Sequence, residues 1–371
     1  MTRLVFAVHA IDRLGLLARE LGGSRALLVT SAGVSAAGHA VRAIRSLESA
    51  GLSVALYDLV QDNPTTRDVD NCLSFARPAQ VDLLIGLGGG SSMDTAKGCN
   101  FLLTNGGRMQ DFWGTGKAAK PMLPLIAIPT TAGTGSECQS YALITDETTH
   151  QKMACGDPKA APAIALLDPA LTLTQPRQVT ATTGIDALSH ALETAVTRRR
   201  SAASWLYSRE SFRLTVNSFE RVMKNPDDLE ARSHMQLGAA YGGMAIELSM
   251  LGAAHAAANP LTARFGVVHG QAVGMMLPHV IRFNAAEPSA HEGYRELAAA
   301  AGLADTPTAL ATRLEALLRT AGLPTSPAEC GVTPDAIPQL AAEAATQWTA
   351  QFNPRAVAAP DFEALYHTAM P

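Results

Sequence analysis

The chain lacks a cysteine framework, a basic face and any apolar run long enough for a membrane. Five cysteines, Cys72, Cys99, Cys138, Cys155 and Cys330, are scattered through 371 residues with no CxxC spacing. An odd, unpatterned set argues for reduced thiols and a cytoplasmic setting. The formal charge of −4 provides no electrostatic case for binding nucleic acid or an anionic membrane. Arg198-Arg-Arg200 is the only basic run, and it reads as a solvated helix end or loop. Arg3, His9, Asp12 and Arg13 interrupt the N-terminal stretch, which leaves no apolar signal core. No run approaches bilayer length, and there is no internal repeat or low-complexity tail. The expectation is a soluble, cytoplasmic protein with no membrane or nucleic-acid partner.

What is present points to a globular enzyme-sized chain. With 47% hydrophobic and 17% charged residues it can bury sizeable cores, and its length suits about two domains. The first half alternates short apolar runs (Arg25–Thr30, Ser53–Asp58, Asp82–Gly86, Pro124–Pro129) with helix-like stretches (Ala37–Ala50, Thr66–Ala76). This alternation predicts a parallel sheet covered on both faces. Three short extended runs between Tyr141 and Asp168 suggest a small antiparallel addition. Beyond about Gln178 strand signals vanish, and helical periodicity runs through Ala181–Thr197, Ala202–Arg221, Leu229–Leu248 and Gly270–Phe283. The fold class expected is therefore α/β over 1–178, followed by an all-α domain over 179–371. A cleft between two such domains is a usual place for a ligand.

Asp186 and His190 sit four apart in a stretch of helical composition, so both project from one helical face. With His255 and His269 they offer one oxygen and three nitrogens, a set suited to Fe²⁺ or Zn²⁺ with a position open for water or substrate. Any one of these histidines alone reads more simply as an ordinary core or surface residue. Gly86-Leu-Gly-Gly-Gly-Ser-Ser-Met-Asp-Thr-Ala-Lys97 follows a strand and opens a helix. Its backbone suits a diphosphate, or else forms only a tight strand-to-helix turn. It departs from the dinucleotide GxGxxG fingerprint, because Ser91 holds the last glycine position. Pro129-Thr-Thr-Ala-Gly-Thr-Gly-Ser-Glu137 is a second glycine- and hydroxyl-rich stretch after a strand, able to hold phosphate, ribose or an amide.

These segments, with Gly184–His190, Gly252–His255, His269–Ala272 and the closing Asn353-Pro-Arg355, resemble the iron-dependent (group III, metal-containing) alcohol dehydrogenases over nearly the whole chain. The resemblance implies an oxidoreductase with an N-terminal NAD(P)-binding domain, a helical metal-binding domain and a homodimeric assembly. It implies metal ligands at Asp186, His190, His255 and His269, with Fe²⁺ as the ion and Zn²⁺ as the alternative. It implies cofactor contacts at Asn63, Gly89, Gly90, Ser91, Asp94, Thr130, Thr131, Thr134 and Lys152, and a substrate pocket that includes Tyr141, Ile246 and Thr349. The reaction expected is hydride transfer between NAD or NADP and a small or medium alcohol or aldehyde in the cleft between the domains.

Three residues depart from the family pattern. Asn259 stands four residues after the third ligand, where many members have histidine, and a neutral amide cannot relay a proton. Its catalytic part is then to position a water or ribose hydroxyl. Gln139 replaces a common threonine near the nicotinamide side. Ser31 ends the first predicted strand where NAD-preferring relatives often carry aspartate, so a 2′-phosphate is not repelled. Two other classes fit parts of the pattern: a dehydroquinate-synthase-like lyase and a non-catalytic nucleotide sensor. The Asp-His-His-His set and the apolar Ile246, Met250 and Leu251 favour the dehydrogenase.

Overall fold

The computed structural model describes residues 2–370. The chain divides into two compact units, one running to Thr131 and resuming over Ser136–Gln175, the other comprising Ala132–Gly135 and the chain from Pro176. The expected boundary at 178 carries no provision for the Ala132–Gly135 excursion.

The strands of the first unit are β1 (Arg3–Phe6), β2 (Arg25–Val29), β3 (Ser53–Tyr57), β4 (Leu83–Gly88), β5 (Gly114–Thr115), β6 (Leu125–Pro129), β7 (Tyr141–Thr145), β8 (Lys152–Gly156) and β9 (Ile164–Leu167). Six form a parallel sheet in the order β1-β9-β6-β4-β2-β3. The unit's helices are α1 (Leu14–Glu20), α2 (Ala32–Ala36), α3 (His39–Ser49), α4 (Thr66–Ala76) and α5 (Gly90–Asn105). Alternate residues of β2 serve opposite faces, as the period of a strand requires. Leu27 and Val29 join Val69 and Leu73 of α4 and Phe101 and Leu102 of α5, while Ala26 and Leu28 join Leu14 and Leu17 of α1 and Ala43 and Leu47 of α3.

The antiparallel addition expected after Tyr141 is only partly there. β7 and β8 pair antiparallel, with β5 added parallel to β8. The third run, β9, instead enters the main sheet between β1 and β6. All four of its residues are buried, and such a run needs cover on both faces, which the parallel sheet provides. β1 has only a short apolar signal in the sequence, and its outer residues are exposed.

The second unit is helical: α6 (Arg177–Thr194), α7 (Ala202–Lys224), α8 (Leu229–Ser249), α9 (Ala253–Phe265), α10 (His269–Asn284), α11 (Pro288–Ala300), α12 (Pro307–Ala321), α13 (Ile337–Ala345) and α14 (Ala359–Ala369). Among the described residues no helix is long and apolar enough to cross a membrane. Ile185, Leu188 and Leu192 of α6 lie in the unit's core with Val273, Met276 and Leu277 of α10. Two glycines let these helices approach closely. A Cβ at Gly270 would stand 2.1 Å from the Thr182 carbonyl oxygen, and one at Gly274 would stand 2.5 Å from Ile185 Cγ2.

Because the Gly270 contact is with backbone, Gly270→Ala should force the helices apart. We expect a loss of about 1–3 kcal/mol of stability, the usual overpacking penalty. Urea unfolding of the metal-free full chain measures it, and an unchanged midpoint would show that the crossing has slack.

Candidate active site

Asp186 and His190 lie one turn apart on α6, His255 lies in the first turn of α9, and His269 opens α10. One ligand-type atom from each of Asp186, His255 and His269 falls within 4.8 Å of the others. His190 stands beside this trio, its Nε2 being 3.5 Å from Asp186 Oδ1 and its ring stacked on His255 at 5.0 Å between centroids. Asp186, His190 and His255 are buried and His269 is half-buried.

Two atoms at the centre of the group lack hydrogen-bond partners: Asp186 Oδ1 and His255 Nε2. Leaving a buried carboxylate oxygen and an imidazole nitrogen unsatisfied is costly, so such atoms need an explanation. A divalent cation supplies one, and a donor set of carboxylate oxygen and imidazole nitrogen suits a borderline ion such as Fe²⁺ or Zn²⁺. The residues fit the group.

Burial disfavours the Asp186 charge, but the surrounding imidazoles outweigh it and hold the carboxyl below the ordinary carboxylate range. Burial also presses the His190 pKa down. At His255 burial opposes the charged form, yet the Glu193 and Asp186 carboxylates prevail and raise its pKa to about 9.

The far side of each ring is also engaged. His190 Nδ1 lies 3.2 Å from the Gly133 carbonyl oxygen. The 132–135 excursion brings that carbonyl in, and its glycines permit the approach: a Cβ at Gly133 would stand 2.5 Å from Thr183 Cβ. His255 Nδ1 lies 2.5 Å from Glu193 Oε2, and Glu193 Oε1 accepts from the Ala254 amide at 2.7 Å. Glu193 was not among the expected site residues. It follows Asp186 by two turns of the same helix, a spacing that places it on the same face and was readable in the chain.

In the first unit, the chain leaves β4 through Gly88, whose φ of +147° suits glycine and whose Cβ would stand 2.4 Å from Ser92 Oγ. Gly89 caps α5 and Gly90 begins it, so the first-turn amides of a long helix, which have no carbonyl one turn earlier in the helix, lie next to the strand end. Thr131 lies beside Gly89, at 3.5 Å from a Cβ built there. The exposed Asn63, in a left-handed conformation with φ 51°, donates its amide to Ser91 Oγ at 3.3 Å. Thr130 is buried after β6, its amide donating to the Gly88 carbonyl at 2.9 Å. Lys152 is exposed at the start of β8. Ser31 is the N-cap of α2 and its side chain makes no capping bond. Thr134, by contrast, belongs to the excursion assigned to the helical unit.

Asp94 is buried and accepts from Ser136 Oγ at 2.9 Å, and burial pushes its carboxyl upward. The fully buried Lys97 donates to Ser136 Oγ, the Ser136 carbonyl and the Tyr141 carbonyl at 2.8, 2.7 and 2.9 Å. This pair ties α5 to the chain after β6.

Tyr141 lies on β7 with its ring laid across Gly156 of the neighbouring strand. Ile246, on α8, is buried, and so is Thr349, whose hydroxyl lacks a hydrogen-bond partner. Asn259 lies one turn beyond His255 on α9 and donates its amide to Gln347 Oε1 at 2.9 Å. Gln139 follows a short 3-10 turn, its amide bonded to the Ser136 carbonyl.

Residues 1–169 match the family described as iron-containing alcohol dehydrogenase, and residues 180–370 match the C-terminal part of the same family. The chain belongs to the iron-containing alcohol dehydrogenase family. It is 32% identical to an NAD-dependent methanol dehydrogenase of Bacillus methanolicus, over 97% of this chain and 96% of that one. It is 33% identical to a lactaldehyde reductase of Escherichia coli strain K12, covering 95% and 93% of the two chains. A crystal structure of a 1,3-propanediol oxidoreductase superposes with a TM-score of 0.94 at 30% identity, covering 99% of this chain and 98% of that chain. This family member is an alcohol/aldehyde oxidoreductase that uses a nicotinamide cofactor and a metal ion. The lyase and non-catalytic readings find no support among these relatives.

Proposed function

We propose that this dehydrogenase holds one divalent ion, Fe²⁺ with Zn²⁺ as the alternative, through Asp186, His190, His255 and His269. The observation that carries this is the pair of buried atoms without hydrogen-bond partners, Asp186 Oδ1 and His255 Nε2, at the centre of the cluster. Such an ion supplies Lewis acidity, easing loss of an alcohol proton or polarising a carbonyl, worth several kcal/mol. The work left to the chain is to bind and align, because the hydride chemistry belongs to the nicotinamide.

Cofactor binding falls to Gly89, Gly90 and Ser91 at the start of α5, supported by Asn63, Asp94, Thr130, Thr131, Thr134 and Lys152. The half-buried Gly90 and Ser91, at the helix start after a glycine turn, offer first-turn amides that favour a diphosphate. Ser31 sets the ribose end. The substrate is a small or medium primary alcohol or aldehyde, in line with the methanol, lactaldehyde and 1,3-propanediol named for relatives. The partnerless Thr349 hydroxyl and the apolar Ile246 are the proposed pocket residues of the helical unit. Asn259, held by Gln347, orients a hydroxyl or water and takes no proton itself.

The direct test is metal analysis of the purified chain paired with NADH and NADPH oxidation over an aldehyde panel that includes glycolaldehyde. Chelation should abolish turnover and added Fe²⁺ or Zn²⁺ should restore it. His255→Ala should lose the ion while the first unit stays folded by circular dichroism; full metal content and activity in that variant would refute the ligand set.

Removing the Asn259 amide tests its part separately. Asn259→Ala should lower kcat by about ten-fold or less, below the usual range for acid–base groups. A loss near ten-thousand-fold, the top of that range, would mean the residue is central to proton transfer.

The third expectation concerns the cofactor. An aspartate at position 31 would accept from a ribose 2′-hydroxyl and repel a 2′-phosphate, by up to a few kcal/mol before screening. Wild type should therefore use NADPH measurably, and Ser31→Asp should shift the ratio of kcat/KM values toward NADH. An unchanged ratio would place the ribose elsewhere.

A further inference from the structure

One buried carboxylate beside the cluster has no part in the chemistry above. Glu193 is 3% exposed, and both of its oxygens are committed to the start of α9. Oε1 accepts from the Ala254 amide, and Oε2 faces Nδ1 of the next residue, His255. Glu193 thus grips the backbone and the ring of one short segment together, and its carboxylate cannot turn without losing one of the two bonds.

We propose that Glu193 is the positioning residue of the metal centre, fixing the His255 proton on Nδ1 so that Nε2 is the nitrogen offered to the ion. The inference rests on the reading of Asp186, His190, His255 and His269 as ligands. An ionised carboxylate only accepts hydrogen bonds, so the nitrogen facing it must carry hydrogen. When the ion displaces the second ring proton, the lone pair appears at Nε2, the buried atom without a hydrogen-bond partner, 3.5 Å from Asp186 Oδ1. Carboxylates placed behind metal-binding histidines act in this way generally, setting the tautomer and the ring orientation.

The surroundings hold Glu193 in this pose. The neighbouring amide, Ala253, donates to Asn353 Oδ1 at 3.2 Å, and Asn353 is locked in turn by a two-way amide pairing with Asn284 at 3.1 and 2.7 Å. This is the part played by the asparagine of the Asn353-Pro-Arg355 stretch. Gly252 is needed at the junction: a Cβ there would stand 2.9 Å from Asn353 Oδ1 and 3.1 Å from Glu193 Oε1.

Glu193→Gln separates positioning from simple helix capping. The amide oxygen can still accept from Ala254, but the amide nitrogen then faces His255 Nδ1 as a donor and drives the proton to Nε2. The Zn²⁺ dissociation constant, read on the full chain by competition with a chromogenic chelator, should weaken about 10–100-fold in Glu193→Gln. Glu193→Asp, which keeps a carboxylate, should recover part of the loss. Gly252→Ala, which keeps Glu193 but displaces it, should weaken binding in the same direction. In the Zn²⁺-loaded wild type, nitrogen-15 resonances of His255 should show a protonated Nδ1 and a coordinated Nε2, a measurement that requires no variant to fold. A lower melting temperature of Glu193→Gln with an unchanged Zn²⁺ constant would reduce Glu193 to a helix cap and overturn the inference. Coordination of His255 through Nδ1 would overturn it as well. A wild type that takes up no stoichiometric Zn²⁺ would instead overturn the ligand reading, and this inference with it.

Discussion

A buried carboxylate whose oxygen has no donor is the constraint around which the helical unit is organised. Removing one ion from water costs several kcal/mol even after the protein relaxes. Asp186 meets that cost with groups from three helices: His190 on its own α6, His255 on α9 and His269 on α10. Those helices must converge within a few ångströms, so the spacing between them is set by what their crossings can tolerate. Gly270 and Gly274 admit α10 against α6, and Gly133 admits the 132–135 excursion whose carbonyl faces His190. Small residues at these crossings therefore serve the chemistry as well as the core.

The first unit answers to a different constraint. Its central strands are buried on both faces and must find partners in a parallel ladder, which leaves their C-terminal ends as the places where backbone amides emerge. Gly88 and Gly89 turn the chain there, and the buried Lys97, with its three hydrogen bonds, ties α5 to the stretch after β6. Amides freed at a helix start after such a turn favour anionic groups in general.

Much of this was legible in the chain, and the failures have physical causes. The apolar runs of β2, β4 and β6 were evident because both faces of each are buried. β1 was not, since an edge strand with exposed ends lacks the apolar signature. The run of β9 reads as extended, but four apolar residues carry no information about which neighbour they pair with, and it pairs with β1 and β6. α9 did not stand out as a helix because Pro260 interrupts its pattern. Asp186 and His190 announce themselves by their four-residue spacing. His255 and His269 lie on other helices, so no local spacing joins them to the first pair; their residue types suggest the grouping and the family resemblance implies it.

By itself the sequence determined the things that depend on neighbours along the chain: strand or helix, buried or exposed face, and the motifs that mark an alcohol dehydrogenase of the iron-containing family. Periodicity and local spacing suffice for these, because each is settled within a few turns or residues. The tertiary structure alone decided which atoms meet. Glu193 and His255 are 62 positions apart, and Asn353 and Ala253 are 100 apart. Asn259 finds Gln347 across 88. A hydrogen bond is made or lost within a few tenths of an ångström, and at such separations only the packing of whole helices sets distances that finely.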